Sequence, residues 1–419
     1  MSDAATDPDA SYHRRLLFFL SVASFFEGYD FLALAQLLPN IREHFHLSEG
    51  EGGLLVTVVN AGTMIAYFLV RKADRWGRKK ALSITIAGYT IASLLSGLAP
   101  TAWSFALGQL LARVFLIAEW AIAMVVAAEE FPAKRRASAM GIIQASSTLG
   151  AVACAGLVPI LIKLPPGFRT VYFVGAIPLG LIALARRTMR EPPRFEAQLK
   201  ERTATSTSTE ASTRSLFAIF RGPNAMRVLV VALVWSLGYI CTQNAVTFWK
   251  EFAVHERGFT DGDVGLSITI AALAAMPLAF LSGKLLDMIG RKAGAAIIFV
   301  VLSASTAAAY TLHSWALLTA SLVFAIFGST AILQVMNTYT AELFPTAERA
   351  DAFAWSNNLL GRIGYVASPY FVGLAAEQYG WGPSVRMTAV FPIVALLIIL
   401  AVFPETRGTE LDDEAVAPH

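Results

Sequence analysis

The amino-acid sequence predicts an all-α membrane protein: twelve transmembrane helices arranged as two six-helix bundles. Three observations carry that prediction. Of 419 residues, 56% are hydrophobic and only 15% are charged, whereas soluble domains carry about 25% charge. The roughly 235 apolar residues nearly match the ~240 that twelve spans of about 20 residues would need. Two clusters of loop charges also recur at a single offset, so the second half of the chain copies the first.

Stretches free of Asp, Glu, Lys and Arg locate each span, because an ionised side chain at the bilayer centre costs at least about 2.5 kcal/mol. The first helix, 15–38, follows an acidic polar tail and shows no Ala-x-Ala cleavage pattern, so it reads as a retained helix rather than a signal peptide. Clean runs give helices at 52–71, 137–162, 227–249 and 264–284. The long runs Ala81–Ala112 and Ala293–Ala341 each hold parts of two helices, divided at Pro100-Thr101 and His313-Ser314. They yield 80–99 with 102–128, and 293–312 with 315–341. Segments 170–188, 351–375 and 385–403 complete the set.

The distribution of basic residues sets the expected orientation. With both termini and the even-to-odd connections in the cytoplasm, that side holds 25 of the 33 Lys+Arg, against 6 outside and 2, Arg113 and Arg362, within helices. The expected organisation is a cytoplasmic tail (1–14), an N-terminal bundle (15–188), a cytoplasmic linker (189–226), a C-terminal bundle (227–404) and a cytoplasmic tail (405–419). The Thr/Ser-rich stretch Thr203–Ser215 suits a flexible tether. Short outer loops without an Asn-x-Ser/Thr acceptor fit a bacterial inner membrane.

Several function classes are excluded. A net charge of +3 leaves no basic surface for nucleic acid. Cys154 and Cys241 both lie in apolar runs, and none of the six histidines sits in a ligand-spaced cluster, so neither a disulfide framework nor a metal site is expected. No phosphate-binding loop appears, which argues against direct ATP drive. No catalytic residue and no cofactor are expected, and the lipid bilayer is the partner that the composition implies.

The repeat is specific. Asp74-Arg75-Trp76-Gly77-Arg78-Lys79 recurs as Asp287-Met288-Ile289-Gly290-Arg291-Lys292, and Glu129-x-x-Pro132-x-x-x-Arg136 recurs as Glu342-x-x-Pro345-x-x-x-Arg349, both 213 residues on. Internal duplication of a six-helix unit marks transporters built from parallel repeats. With the closing Pro404-Glu405-Thr406-Arg407-Gly408, these motifs resemble the major facilitator superfamily over essentially the whole chain. Val70 and Met288 depart from its loop pattern. Phe26-Glu27-Gly28-Tyr29-Asp30-Phe31 is similar to the first-helix segment of aromatic acid:proton and metabolite:proton symporters, and Glu119-Trp120 to the Glu-Trp ending of their fourth helix. Gly361-Arg362-Ile363-Gly364 with Ser368-Pro369 resembles aromatic acid symporters and organic anion transporters. Gln109 holds the place of the family's fourth-helix arginine, with Arg113 one turn deeper. The resemblance implies a cytoplasmic latch made by Asp74, Arg75, Arg78, Glu129 and Arg136 with Asp287, Arg291, Glu342 and Arg349; the plainer reading is that basic loops obey the orientation rule.

Five ionisable residues fall inside predicted helices: Glu27, Asp30, Arg113, Glu119 and Arg362. At ~1.5 Å per residue, Glu27, Arg113 and Arg362 lie about 18, 15 and 16 Å along their helices, near mid-membrane. Buried charges there must pair or face water. Glu27 and Asp30 share a helix face, and two close carboxylates favour holding one proton between them. Proton coupling by Asp30, Glu27 or Glu119 therefore stands beside a permanent ion pair with an arginine. Arg362, and with it Arg113, suits a substrate carboxylate through its planar fork; a structural salt bridge is the alternative. None of the five has a charged counterpart 213 residues away, so the deep charges are asymmetric where the loops are not.

Gln144, Gln243, Asn244, Gln334 and Asn337 either bond substrate or join helices. Tyr29, Tyr365, Trp120, Trp235, Tyr239 and Trp355 either stack on a ring or pack. The expected function is secondary active transport by alternating access, a proton-coupled uptake of an aromatic or other carboxylic acid, so the expected partners of the monomer are a small organic anion and protons in addition to the lipid bilayer. Efflux of a drug or metabolite by proton antiport is the rival within transport, and a non-transporting membrane sensor the rival outside it.

Overall fold

The computed structural model describes residues 8–185 and 218–407 and is almost entirely helical. The first half contains α1 (Pro8–Phe45), α2 (Glu49–Trp76), α3 (Arg78–Gly97), α4 (Ala102–Glu130), α5 (Ala133–Leu161) and α6 (Arg169–Ala185). The second contains α7 (Ala225–Thr247), the short α8 (Trp249–His255), α9 (Asp261–Ile289), α10 (Arg291–Ala309) and α11 (Trp315–Glu342). It closes with α12 (Thr346–Phe353), a π-helical turn (Ala354–Leu359), α13 (Arg362–Tyr379), α14 (Trp381–Met387) and α15 (Val390–Val402). Among the described residues, ten segments are long and apolar enough to cross a membrane. The more polar α3 and the 17-residue α6 complete twelve. Thr203–Ser215 and most of the linker, with the chain ends 1–7 and 408–419, lie outside the described residues.

Several helices run past the expected segments, whereas α3, α7 and α10 stop two or three residues before the expected ends. The segment expected at 15–38 spans Pro8–Phe45, because the absence of charge marks only the part that lipid requires, while backbone hydrogen bonding continues into polar sequence. Helix starts follow local chemistry. Thr101 and Thr260 cap α4 and α9, each accepting from the N–H three residues on, Ser104 and Asp263, whose side chains bond back. Between α2 and α3, and again between α9 and α10, the turn is made by a glycine at positive φ, Gly77 at 94° and Gly290 at 95°. These positions are 213 residues apart, and only glycine takes that conformation without strain.

The chain separates into two compact units, Met1–Ala33 with Ile65–Arg214 and Leu34–Met64 with Ser215–His419. In the first, Leu16, Leu20, Leu82, Ile122 and Ile143 form one buried cluster, and Ala23, Ile86, Tyr89 and Leu116 another. In the second, Val228, Trp235, Phe299, Leu302, Val335, Tyr365 and Ile399 share a core.

Candidate functional site

In the first unit, α1 and α5 cross backbone against backbone. A Cβ on Gly28 would lie 1.8 Å from the Ser147 carbonyl oxygen, and one on Gly150 would lie 1.7 Å from that of Phe25. Small residues at such a crossing let membrane helices approach closely. The contact brings Ser147 beside Glu27, whose Oε2 accepts from the serine hydroxyl at 3.3 Å. One turn further, Asp30 is buried next to Arg113 and Tyr89. Arg113 is itself 3% exposed, with its guanidinium 4.8 Å from the Phe31 ring centroid and Nη1 without a hydrogen-bond partner. Glu119 accepts from the Thr85 hydroxyl and, like Arg113, acts electrostatically on Glu27. The four deep charges of this half thus form one cluster. Tyr29 is fully packed, its hydroxyl donating to the Val171 carbonyl at 3.3 Å. Gln109 is buried with Nε2 unpartnered.

In the second unit, Arg362 begins α13 directly after the π-helical turn. Its guanidinium carbon lies 4.9 Å from the Tyr239 centroid and 5.1 Å from that of Tyr365. The rings are 5.6 Å apart and inclined at 80°. These three lengths make a near-equilateral triangle, so the rings form a corner on one side of the cation instead of enclosing it. Arg362 Nε has no hydrogen-bond partner. Among the described residues, neither Arg113 nor Arg362 forms an ion pair.

Other polar residues named from the sequence are engaged elsewhere. Asn244 donates to Ser368 Oγ at 2.8 Å and to the Ile240 carbonyl at 2.7 Å, joining α7 to α13. Gln334 on α11 accepts from Ser282 and donates to the Ala279 carbonyl of α9. Gln243 donates to Thr247 at 3.0 Å within α7. Gln144 and Asn337 are exposed. Trp235 stacks on Tyr239 at 5.3 Å, and Trp355 meets Phe220 edge-on at 4.8 Å.

The duplicated loops fold alike. Arg78 Nη2 pairs with Glu129 at 3.1 Å, and Arg291 Nη2 with Glu342 at 2.8 Å. In the second copy Arg291 also reaches Asp287 at 2.9 Å, Thr406 donates to Glu342, and Glu405 accepts from the Arg291 and Lys292 amides. Arg136 and Arg349, the repeated ends of the second motif, each keep a buried Nε without a partner. The side chains of Asp74 and Arg75 lie outside the described residues.

At the opposite helix ends the second unit holds an ion cluster that sequence reasoning missed. Arg42 Nη1 donates to Glu251 at 2.8 Å, Nη2 pairs with Glu49 at 2.7 Å, and Nε donates to the Ser48 carbonyl at 3.2 Å. The Glu251 side chain is completely buried and also meets His255 Nδ1 at 3.1 Å. Asn357 was missed as well: its Oδ1 accepts from the Tyr239 hydroxyl at 2.7 Å.

Twelve helices built from a duplicated unit, with paired loop charges in both copies and, among the described residues, two deep arginines without an ion pair, have the architecture of a multi-pass membrane transporter. The chain belongs to the Major Facilitator Superfamily, whose model matches residues 20–260 and 239–418. It is 26% identical over 377 residues to the cis,cis-muconate transport protein of Acinetobacter baylyi, covering 86% of each chain. It is 22% identical over 438 residues to the niacin transporter of the same organism, covering 97% of each. In fold it is similar to the xylose transporter of Escherichia coli in an inward-open conformation, with a TM-score of 0.75 at 18% identity, covering 96% of this chain and 99% of that one.

Proposed function

We propose that this transporter takes up a small organic anion, an aromatic or other carboxylic acid, together with protons. The observation that carries the reading is Arg362: a cation at the start of α13 with a ring corner on one side, an unpartnered Nε and, among the described residues, no carboxylate in ion-pair contact. An arginine cannot shed its charge, so such a site is completed by an anion from outside the protein. The muconate and niacin relatives, both named for carboxylic acids, support that substrate class.

Asp30 and Glu27 are assigned the coupling proton, with Arg113 as the cation that tunes them and Glu119 as a further acceptor. Two acids on one helix face near an unpaired arginine can exchange a proton as the substrate's charge comes and goes. The Arg78–Glu129 and Arg291–Glu342 pairs serve as latches at the cytoplasmic end of each half, in a monomer of the bacterial inner membrane with both termini inside. The predominance of Lys and Arg in those loops supports this orientation.

The test is uptake into proteoliposomes of benzoate, nicotinate, cis,cis-muconate, a neutral sugar and a betaine, with and without an imposed pH gradient. Accumulation of at least one carboxylate, driven by an inward proton gradient and lost in Arg362→Ala, is the expected result. Equal transport of the neutral sugar, or accumulation driven only by the reverse gradient, rules the reading out.

A further inference from the structure

The chain between α12 and α13 is wound as a π-helix over Ala354–Leu359, with the Leu360 amide donating to the Trp355 carbonyl at 2.9 Å, five residues back. Such turns carry one residue more than an α-helix needs, and they concentrate where a side chain must be aimed. This one is seated against α7: a Cβ on Gly361 would lie 2.2 Å from the Ser356 carbonyl oxygen and 2.7 Å from Trp235 Cβ. The side chain it delivers to α7 is Asn357, whose Oδ1 accepts from the Tyr239 hydroxyl at 2.7 Å. Tyr239 is thereby fixed at both ends. Its ring face lies on Trp235, with 5.3 Å between centroids and 26° between planes, and Trp235 is anchored by its indole N–H to Thr340 at 3.1 Å.

The consequence falls on Arg362. Tyr239 is one of the two walls of its corner, and the cation's position follows the ring's. Because the phenol proton is committed to Asn357, the hydroxyl turns lone pairs rather than a donor toward its other neighbours. A carboxylate approaching the corner then finds its donors on the guanidinium.

We propose that Asn357, carried by the π-helical turn, is a positioning residue for substrate binding: it holds Tyr239, and through Tyr239 it sets the Arg362 guanidinium so that its open side meets the substrate carboxylate. The inference rests on Arg362 being the anion site and adds how that site is aimed. The same π-helical turn joins the residue that aims the cation and the cation itself within six positions of sequence, Asn357 to Arg362, so the alignment is local to one helix and its neighbour α7.

The experiment is a double-variant cycle on the full-length protein in proteoliposomes, at a fixed inward pH gradient. The probe is whichever of benzoate, nicotinate and cis,cis-muconate the wild type carries. Asn357→Ala and Tyr239→Phe, the latter keeping the ring, are each expected to raise KM about fivefold, the scale of one net hydrogen bond. The double variant is expected to do no worse than either single one, because both remove the same bond, and kcat stays within about twofold in all three if positioning acts on binding alone. Unchanged KM in both single variants, effects that multiply in the double variant, or a fall in kcat at constant KM each overturn the proposal. Arg362→Ala separates the two levels. If it retains wild-type KM, or if the wild type carries none of the three probes, the anion site itself is wrong and the proposal falls with it. If it loses transport while Asn357→Ala keeps the wild-type KM, only the positioning role is wrong.

Discussion

Arg42 and Arg362 belong to the same compact unit, and each lies over an aromatic ring, at 5.4 Å for Trp381 and 4.9 Å for Tyr239. Their polar surroundings are opposite. Arg42 meets two carboxylates and a backbone carbonyl; Arg362 meets rings and keeps an unpartnered Nε. The difference separates a charge that the protein pairs within itself from one that has no ion pair among the described residues. Arg113 stands between them, with acids in its electrostatic neighbourhood but none in ion-pair contact among the described residues.

The comparison can be broken most directly by exchanging stability and function readouts. Arg362→Ala is expected to lower carboxylate kcat/KM by about 100-fold, the scale of losing a charge-assisted bidentate partner, with little change in thermal stability. Arg42→Ala should do the reverse: it leaves the buried Glu251 without its principal partner, which costs on the order of 3 kcal/mol and lowers Tm. If the two variants lose Tm equally, the division between them fails. Asp30→Asn comes next, with about a tenfold loss of gradient-driven accumulation while substrate counterflow persists. Counterflow lost in parallel with accumulation would move Asp30 from coupling to structure. Arg113→Gln is expected to change KM by about threefold and to shift the pH dependence of transport, since it removes the cation beside both acids; a pH profile identical to wild type would remove it from the coupling group.

The smallest effect tests the edge of the Arg42 cluster. Bonding to Glu251 raises the pKa of His255 above its ordinary 6.5, against the opposing effects of partial burial and of Arg42. A raised histidine pKa contributes stability fully below about pH 6.5, and that contribution fades as pH rises through the folded-state value. The Tm difference between wild type and His255→Gln should therefore be larger at pH 5.5 than at pH 8.5. Because the ring is about half exposed, the shift amounts to a degree or so at most. A difference independent of pH would detach His255 from the cluster.

Much of the fold was legible because lipid imposes a simple rule on composition. Helix number followed from charge-free runs, and duplication followed from loop charges that had to recur if their ion pairs did; Gly77 and Gly290 then adopt matching backbone geometry. The positions of the deep charges were legible for the same reason, as each is an exception to the apolar composition that lipid demands. What escaped was pairing across long sequence distances. Arg42 and Glu251 are 209 residues apart, and each looks like an ordinary loop-side charge until the fold joins them. The π-helical turn escaped because its composition, Ala-Trp-Ser-Asn-Asn-Leu, is compatible with an α-helix, and only the Leu360-to-Trp355 bond distinguishes it. Asn244 and Gln334 escaped in part, since an amide facing substrate and an amide joining helices look the same in sequence.

The bare crossing of α1 over α5 has a mechanical meaning. Where Gly28 meets Ser147 and Gly150 meets Phe25, backbone faces backbone, with the Ser147 hydroxyl bonded to Glu27 as a side-chain link beside it. Interlocked side chains would have to leave one set of rotamers and find another for either helix to slip along the other. A crossing made mostly of backbone has few such teeth, so its geometry suits sliding as long as the clearance is kept. A single added methyl group would close that clearance and force the helices apart, and Glu27, one residue from Gly28, would be displaced with them.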